Sequence, residues 1–114
     1  MKEWLFSYGT LQNEETQKKI FGRILKGTAD TLSGYSISTI EIKDENFLSK
    51  GEQKYQHTAI ASKYKNDNIN GTVFEITGDE LLLTDIYEPD GYTRIKVMLA
   101  SGKKAWIYVA VENI

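Results

Sequence analysis

The chain of 114 residues, 40% hydrophobic and 26% charged, has the size and composition of one soluble globular domain with a core of its own. A formal net charge of -2 gives no basic footprint for nucleic acid and no polybasic signal for a membrane surface. The absence of cysteine removes disulfides, thiolate catalysis and cysteine-based zinc sites, and a single histidine, His57, leaves little basis for a Ser-His-Asp triad or a multi-histidine metal site.

Met1-Lys2-Glu3-Trp4 reads straight into a strand, and Trp4 to Tyr8 is that first short strand, apolar and aromatic. No basic segment followed by an apolar run and a small-residue cleavage site is present, and no run approaches the ~18 apolar residues of a membrane span. A cytoplasmic protein is expected. Asn13 is placed to cap a helix that Gly22 stops, with Glu14/Lys18 and Glu15/Lys19 as favourable i,i+4 pairs. Thr28 to Leu32 is the next strand. Gly34 reads as a kink or bulge before a longer strand, Tyr35 to Ile42. In that run Tyr35, Ile37 and Thr39 share one parity and Ile40 and Ile42 the other. A bulge near Ser38–Ile40, or burial of both faces, would reconcile them. Lys43 to Gln56 is polar and reads as a surface loop, Thr58 to Lys63 as a short strand. Asn66 to Gly71 reads as a turn ending in Asn-Gly, followed by a strand over Thr72 to Ile76.

A second helix is expected over Gly78 to Glu88, capped by Thr77 or Asp79 and ended by Pro89, which disfavours helical geometry at the residue before it. Tyr92 to Leu99 alternates cleanly. Lys104 to Val111 returns as its hairpin partner, with Trp106 and Tyr108 on one side and Ala105, Ile107 and Val109 on the other. Six or seven strands and two short helices without strict alternation argue against a parallel doubly wound sheet. They point to an α+β domain, a mostly antiparallel sheet or small barrel with helices packed at its ends.

Glu88 is the first candidate for chemistry. It sits at the negative end of the helix macrodipole, and helical phase puts it beside Leu81 at the border of the buried face. Both factors disfavour the charged form and raise the pKa, so such a carboxylate can exchange a proton near neutral pH. The plainer reading is a solvated glutamate or a salt bridge to Arg94. Asp85, one turn earlier, can share a proton with Glu88, join it on a cation, or pair with Arg94. The Tyr8-Gly9-Thr10-Leu11 segment lies between strand and helix, where backbone amides favour an anion and Gly9 admits a ligand to the backbone. Neither G-x-G-x-x-G nor a Walker A lysine is present, so a carboxylate or an oxyanion suits it better than a nucleotide phosphate. On its own it reads first as a plain turn. The seven tyrosines and two tryptophans line a pocket or fill the core.

Taken together, Phe6-Ser7-Tyr8-Gly9-Thr10-Leu11, Leu32-Ser33-Gly34-Tyr35, Gly71-Thr72-Val73-Phe74-Glu75-Ile76, Leu83-Thr84-Asp85-Ile86-Tyr87-Glu88, Tyr92-Thr93-Arg94 and Trp106-Ile107-Tyr108 have a distinctive order and spacing. This pattern resembles the gamma-glutamyl cyclotransferase-like family, including gamma-glutamylamine cyclotransferases and avirulence-induced-gene proteins, over roughly Leu5 to Val109. The resemblance implies a small mixed β-barrel with flanking helices and a cavity with the Tyr8–Leu11 loop at its mouth. It maps the catalytic glutamate onto Glu88, the Tyr-x-Arg element onto Tyr92 and Arg94, and a late tyrosine onto Tyr108. Relatives often carry a proline-containing stretch before the middle strand. Here that region reads Gln56-His57-Thr58-Ala59-Ile60, so the substrate-side wall is expected to differ.

The reaction so implied is cyclisation of a small-molecule γ-glutamyl amide. Its α-amino group attacks the γ-carbonyl, giving 5-oxoproline and a free amine. Glu88 serves as general acid/base, and Tyr8, Gly9, Thr10, Leu11, Tyr92 and Tyr108 bind substrate. Asp85 and Arg94 are structural or orient the substrate, and no metal or organic cofactor is required. The competing expectation is a module on the same fold that binds a small acid without turning it over.

Overall fold

The computed structural model describes residues 2–64 and 66–111. Seven strands run in chain order as β1 (Lys2–Ser7), β2 (Lys26–Ser33), β3 (Tyr35–Glu41), β4 (Tyr55–Ala61), β5 (Asn68–Thr77), β6 (Tyr92–Met98) and β7 (Lys104–Ala110). Three helices, α1 (Glu14–Phe21), α2 (Glu45–Ser49) and α3 (Gly78–Tyr87), and a 3-10 turn over Thr10–Gln12 interrupt them among the described residues. Five strands form one sheet in the order β2-β5-β1-β7-β6, and β3 and β4 form a separate hairpin. All pairings are antiparallel except β1 with β7, where Leu5 lies opposite Trp106. The fold is therefore α+β and mostly antiparallel. It is barrel-like in curvature, but among the described residues no backbone ladder joins the hairpin to the larger sheet.

Strand alternation builds the core in two layers. Phe6, Val73, Ile107 and Val109 face the hairpin and pack with Leu32, Ala59 and Leu99. Their chain neighbours Leu5, Phe74 and Tyr108 face the helices and pack with Leu11, Leu25 and Leu81. The two faces expected for Lys104 to Val111 are thus both buried, each against a different layer. A third, smaller cluster of Ile42, Phe47 and Tyr87 joins α2 to the end of α3.

The caps follow the residues that favour them. Asn13 Oδ1 accepts from Glu15 N at 2.8 Å, and Gly22 ends α1 with φ 73°, which a residue with a Cβ rarely adopts. Thr77, not Asp79, caps α3, in a reciprocal box with Glu80. The expected i,i+4 ion pairs of α1 are not made: Lys19 instead donates to the Lys50 carbonyl at 3.0 Å and lies 3.9 Å from Glu52. Tertiary partners on the 50–52 segment outcompete a pair worth only a few tenths of a kcal/mol.

Five other expectations are corrected. Lys43 to Gln56 is not simply a loop. Asp44 caps a short helix whose Phe47 is buried, and the segment ends inside β4. Gly34 is neither kink nor bulge within one strand. At φ 82° it is the pivot between β2 and β3, which belong to different sheets. The β3–β4 register is continuous, so there is no bulge near Ser38–Ile40. Ile40 lies partly buried while Ile37 is exposed. Asn70-Gly71 is not a turn: it lies within β5, opposite Thr31 and Asp30. The first strand begins at Lys2, earlier than the expected Trp4.

Gly71 owes its identity to close approach. A Cβ there would collide with the Ser7 carbonyl and lie 2.7 Å from the Phe6 ring. Gly71→Ala is therefore expected to cost about 1–3 kcal/mol in urea denaturation. Gly78→Ala, where a Cβ meets nothing within 4 Å, serves as the control and should be neutral or mildly stabilising.

Candidate active site

β1 ends at Ser7 and hands the chain to Tyr8, whose phenol becomes the joint between the two sheets. Its hydroxyl donates to the Tyr108 carbonyl at 2.6 Å and accepts from the Ala59 amide at 3.0 Å. Two further bonds reach the same edge of β4. Tyr92 OH donates to the His57 carbonyl at 2.9 Å, and the Ala110 amide donates to Thr58 Oγ1 at 2.8 Å. The hairpin is thus held to the five-stranded sheet through side chains at three consecutive residues of β4.

The Tyr8–Leu11 loop is braced from below. Leu11 is buried, and its carbonyl accepts from Gln17 Nε2 at 2.8 Å. Gln17, itself buried on α1, also accepts from the Leu25 amide at 2.8 Å. Thr10 Oγ1 is 3.3 Å from Tyr87 OH. The Gly9 amide donates to Ser7 Oγ at 3.3 Å, a long bond that a better acceptor can displace. Among the described residues the amides of Thr10 and Leu11 have no acceptor. Gly9 keeps an extended φ of -135°, and a Cβ on it would meet no atom within 4 Å. The protein's own packing therefore does not require glycine at this position.

This loop opens on a cavity of about 420 Å3, also lined by Glu88, Tyr92 and Tyr108. The structure thereby brings the expected catalytic and substrate-binding residues to one place. Its other wall includes Gln53, Tyr55, Gln56 and His57, the last two belonging to the Gln56–Ile60 stretch that lacks the proline of the resembled family.

Glu88 is the C-cap of α3. Its backbone amide still bonds the Thr84 carbonyl at 3.0 Å, but φ -65° and ψ 145° turn it out of the helix, as Pro89 demands. The cap conformation, rather than helical phase, sets where its side chain goes. Glu88 is half-buried, and among the described residues its carboxylate accepts no hydrogen bond. Burial, then the negative charges of Glu52 and Asp85, push its pKa from 4.5 up to about 8.

The cation expected beside it is engaged elsewhere. Arg94 Nε donates to Asp85 Oδ1 at 2.8 Å, and Tyr108 OH donates to the same oxygen at 2.6 Å. Asp85 and Glu88 therefore differ sharply. One carboxylate is paired twice; the other is left to the cavity. The hydroxyls of Tyr8, Tyr92 and Tyr108 are likewise committed to protein partners, so these residues line the cavity with their hydroxyls already in use. Burial raises the Tyr8 phenol to about 12 and moves those of Tyr92 and Tyr108 upward as well.

Several contributors escaped the sequence reading. Tyr87 is buried, bonds Thr10 and stacks edge-on against Phe47 at 5.9 Å. Glu52, with a side chain only 13% exposed, supplies the largest charge effect on Glu88. Asp44 Oδ2 accepts from the Asp90 amide at 2.8 Å and so ties α2 to the turn that follows Glu88. Tyr87 was findable, since it sits one turn after the buried Thr84. Glu52 and Asp44 carried no local signal.

Among the described residues no three His, Asp or Glu side chains converge as a metal site would require. Nor is any described helix long and apolar enough to cross a membrane.

The family model described as gamma-glutamyl cyclotransferase, AIG2-like, matches residues 5–113. A search of curated proteins returns no significant match. Two Arabidopsis thaliana proteins solved in solution share the fold, with TM-scores of 0.75 and 0.74 at 20% and 18% identity over 99% of this chain. A structure titled gamma-glutamyl cyclotransferase aligns with TM-score 0.74 at 14% identity over 96% of this chain. The chain spans 64%, 71% and 67% of the lengths of these three structures.

Two outcomes follow from the geometry. Tyr8→Phe leaves the buried Ala59 amide without its acceptor, so urea denaturation should show a loss of about 1–3 kcal/mol, with faster amide exchange at Ala59. For Glu88 the folded pKa is above the unfolded one, so the folded state holds the extra proton between pH 4.5 and about 8. Stability should therefore fall as pH rises through that window. Glu88→Gln should remove this slope, melting above the parent protein at pH 8 with the gap closing toward pH 4.5. Parallel melting curves of the two proteins across the window would contradict the burial of an unpaired carboxyl.

Proposed function

The chain belongs to the gamma-glutamyl cyclotransferase, AIG2-like family, and on that premise we propose that it is a cyclotransferase-type enzyme acting on a small γ-glutamyl amide, with 5-oxoproline and a free amine as products. The observation that carries this reading is the contrast between Glu88 and Asp85. An unpaired carboxyl whose pKa is pushed up to about 8 lines the same cavity as the Tyr8–Leu11 loop, while Arg94 is held by Asp85.

The chemistry asks for such a group. The nucleophile is the substrate's own α-amino nitrogen, an ammonium at neutral pH. Glu88 takes one of its protons, and the nitrogen then attacks the γ-carbonyl carbon. A C–N bond forms, and the carbonyl oxygen gains negative charge. Glu88 returns the proton to the amide nitrogen as the original C–N bond breaks and the carbonyl re-forms. The second proton of the attacking nitrogen follows through Glu88 to the departing amine, which leaves as an ammonium. Atoms balance without water, redox change or another reactant. A carboxyl whose pKa lies between those of an ordinary acid and an amine serves both steps. A bound ammonium also favours the ionised form of Glu88, which readies it for the first transfer.

The amides of Thr10 and Leu11 suit the developing oxyanion or the substrate's α-carboxylate, and the open space at Gly9 lets the substrate approach the backbone. Because the attack is intramolecular, the protein's main task is to hold the glutamyl chain folded. The braced loop and the packed tyrosine rings supply that rigidity.

Glu88→Gln should lower 5-oxoproline release by at least about 100-fold, with an unchanged circular dichroism spectrum. In the parent protein kcat/KM should rise with pH toward about 8, the ionisation of free Glu88. Gly9→Ala should fold normally and raise KM. Release of 5-oxoproline by the glutamine variant at the parent rate would remove Glu88 from the chemistry. Tight ligand binding without product across a panel of γ-glutamyl compounds would favour a binding module instead.

A further inference from the structure

The Glu88 carboxylate has no partner among the described residues, yet the chain on either side of it is gripped by α2 and its cap. The β3–β4 segment that carries α2 is closed at its base, where the Ile42 amide donates to the Lys54 carbonyl at 2.7 Å. Phe47 of α2 stacks edge-on against Tyr87, the residue before Glu88, with ring centres 5.9 Å apart. Asp44, the cap of α2, reaches the other side: its Oδ2 accepts from the Asp90 amide at 2.8 Å. Its second oxygen, Oδ1, accepts from the Asn46 amide at 3.0 Å and from the Phe47 amide at 3.4 Å. One carboxylate therefore orders the helix that packs on Tyr87 and anchors the turn that follows Glu88. These bonds, the one from Asp90 foremost, hold the Asp44 carboxyl below the ordinary acid range against an opposing effect of burial.

The turn after Glu88 has little else to fix it. Pro89 lacks an amide proton, so Asp90 carries the first backbone donor after Glu88. The next bonds lie farther along the chain, from the Tyr92 amide to the Pro89 carbonyl at 3.2 Å and from the Val111 amide to the Gly91 carbonyl at 2.6 Å. Without Asp44, the Asp90 amide would become an open donor two residues from the one carboxylate in the cavity that lacks a donor.

We infer that Asp44 is a positioning residue for the reaction: by ordering α2 and holding the Asp90 amide it fixes Glu88 from both sides and keeps its carboxyl unpaired in the cavity. The inference rests on the role of Glu88 proposed above. Asp44 does not line the cavity, so it acts through the backbone of residues 88–90 and through Tyr87. The Tyr87 hydroxyl lies 3.3 Å from Thr10 Oγ1, so the same grip sets where Glu88 stands relative to the Tyr8–Leu11 amides. The charges that act on Glu88 are those of Glu52, from the segment after α2, and Asp85, from α3. The phenols of Tyr8, Tyr87, Tyr92 and Tyr108 lie within reach of its own charge. Asp44 contributes position instead.

The test separates the cap from the tie. Asp44→Ser keeps a capping oxygen but is too short to reach Asp90. Asp44→Asn caps as Asn13 does while presenting a donor, not an acceptor, to the Asp90 amide. Glu45→Gln, in the first turn of α2, removes the same charge and breaks no bond among the described residues. In both Asp44 variants kcat for 5-oxoproline release should fall about 10-fold to 100-fold with KM within about 3-fold of the parent value, the pattern of a misplaced general base. Carboxyl-carbon nuclear magnetic resonance should find Glu88 titrating below the parent value of about 8. In Asp44→Ser, amide exchange should quicken at Asp90 while Phe47 stays protected. Glu45→Gln should match the parent in every measurement. Parent-like kcat and Glu88 titration in both Asp44 variants, a loss confined to KM, or an equal shift in Glu45→Gln would overturn the inference. The titration needs no turnover, so failure of the reaction is read separately, as no 5-oxoproline from the parent protein. In that case a Glu88 titration that shifts in the Asp44 variants alone still supports the positioning role, and one that stays put still contradicts it.

Discussion

The hydroxyl of Tyr8 is the constraint on which the architecture depends. It donates to β7 and accepts from β4, and so links a hairpin and a sheet that share no backbone ladder among the described residues. Tyr92 and Thr58 add their bonds to the same three residues of β4. A ladder would have brought those strands within about 5 Å of each other and closed the space between them. Side-chain bridges hold the hairpin further off, and the cavity occupies the gap. The loop that follows Tyr8 is consequently at the cavity mouth.

The same economy of partners explains Glu88. Pro89 forces its backbone out of the helix, and the Asp44 bond to the following turn holds it there. Arg94, the nearest cation in sequence, is engaged by Asp85, which Tyr108 also bonds. What remains is a half-buried carboxyl with two negative neighbours and no donor among the described residues. Folding leaves this group unsatisfied at some cost to stability above neutral pH, a cost with no structural benefit of its own. Such a carboxyl has chemical use where a proton must be both taken and returned.

Much of this was legible in the sequence, for identifiable reasons. Alternation over Lys104 to Val111 marked two faces, and both proved to be core faces because the sheet is covered on each side. Asn13, Gly22, Thr77 and Pro89 act locally, so the bounds of α1 and α3 came close to those observed. The errors lie where distant parts of the chain decide. Asn70-Gly71 has turn chemistry, but the Ser7 backbone passes so close that glycine is needed inside a strand. Helix α2 is five residues long with Phe47 as its one buried apolar side chain, too short for a periodic signal. Ile37 and Ile40 compete for the inward face of β3, and only the partner sheet selects Ile40. At the site, motif residues were readable. The roles of Glu52 and Tyr87 depend on α2 packing against the end of α3, which no local pattern announced.

The account stands on the protonation of one side chain, which nuclear magnetic resonance can observe directly. In protein labelled at the glutamate carboxyl carbons, the Glu88 signal, assigned by its loss in Glu88→Gln, should titrate near pH 8 in the free protein. It should move to lower pH when a γ-glutamyl ligand brings its ammonium alongside. A Glu88 signal that titrates near 4.5, like an exposed glutamate, and is indifferent to ligand would contradict it.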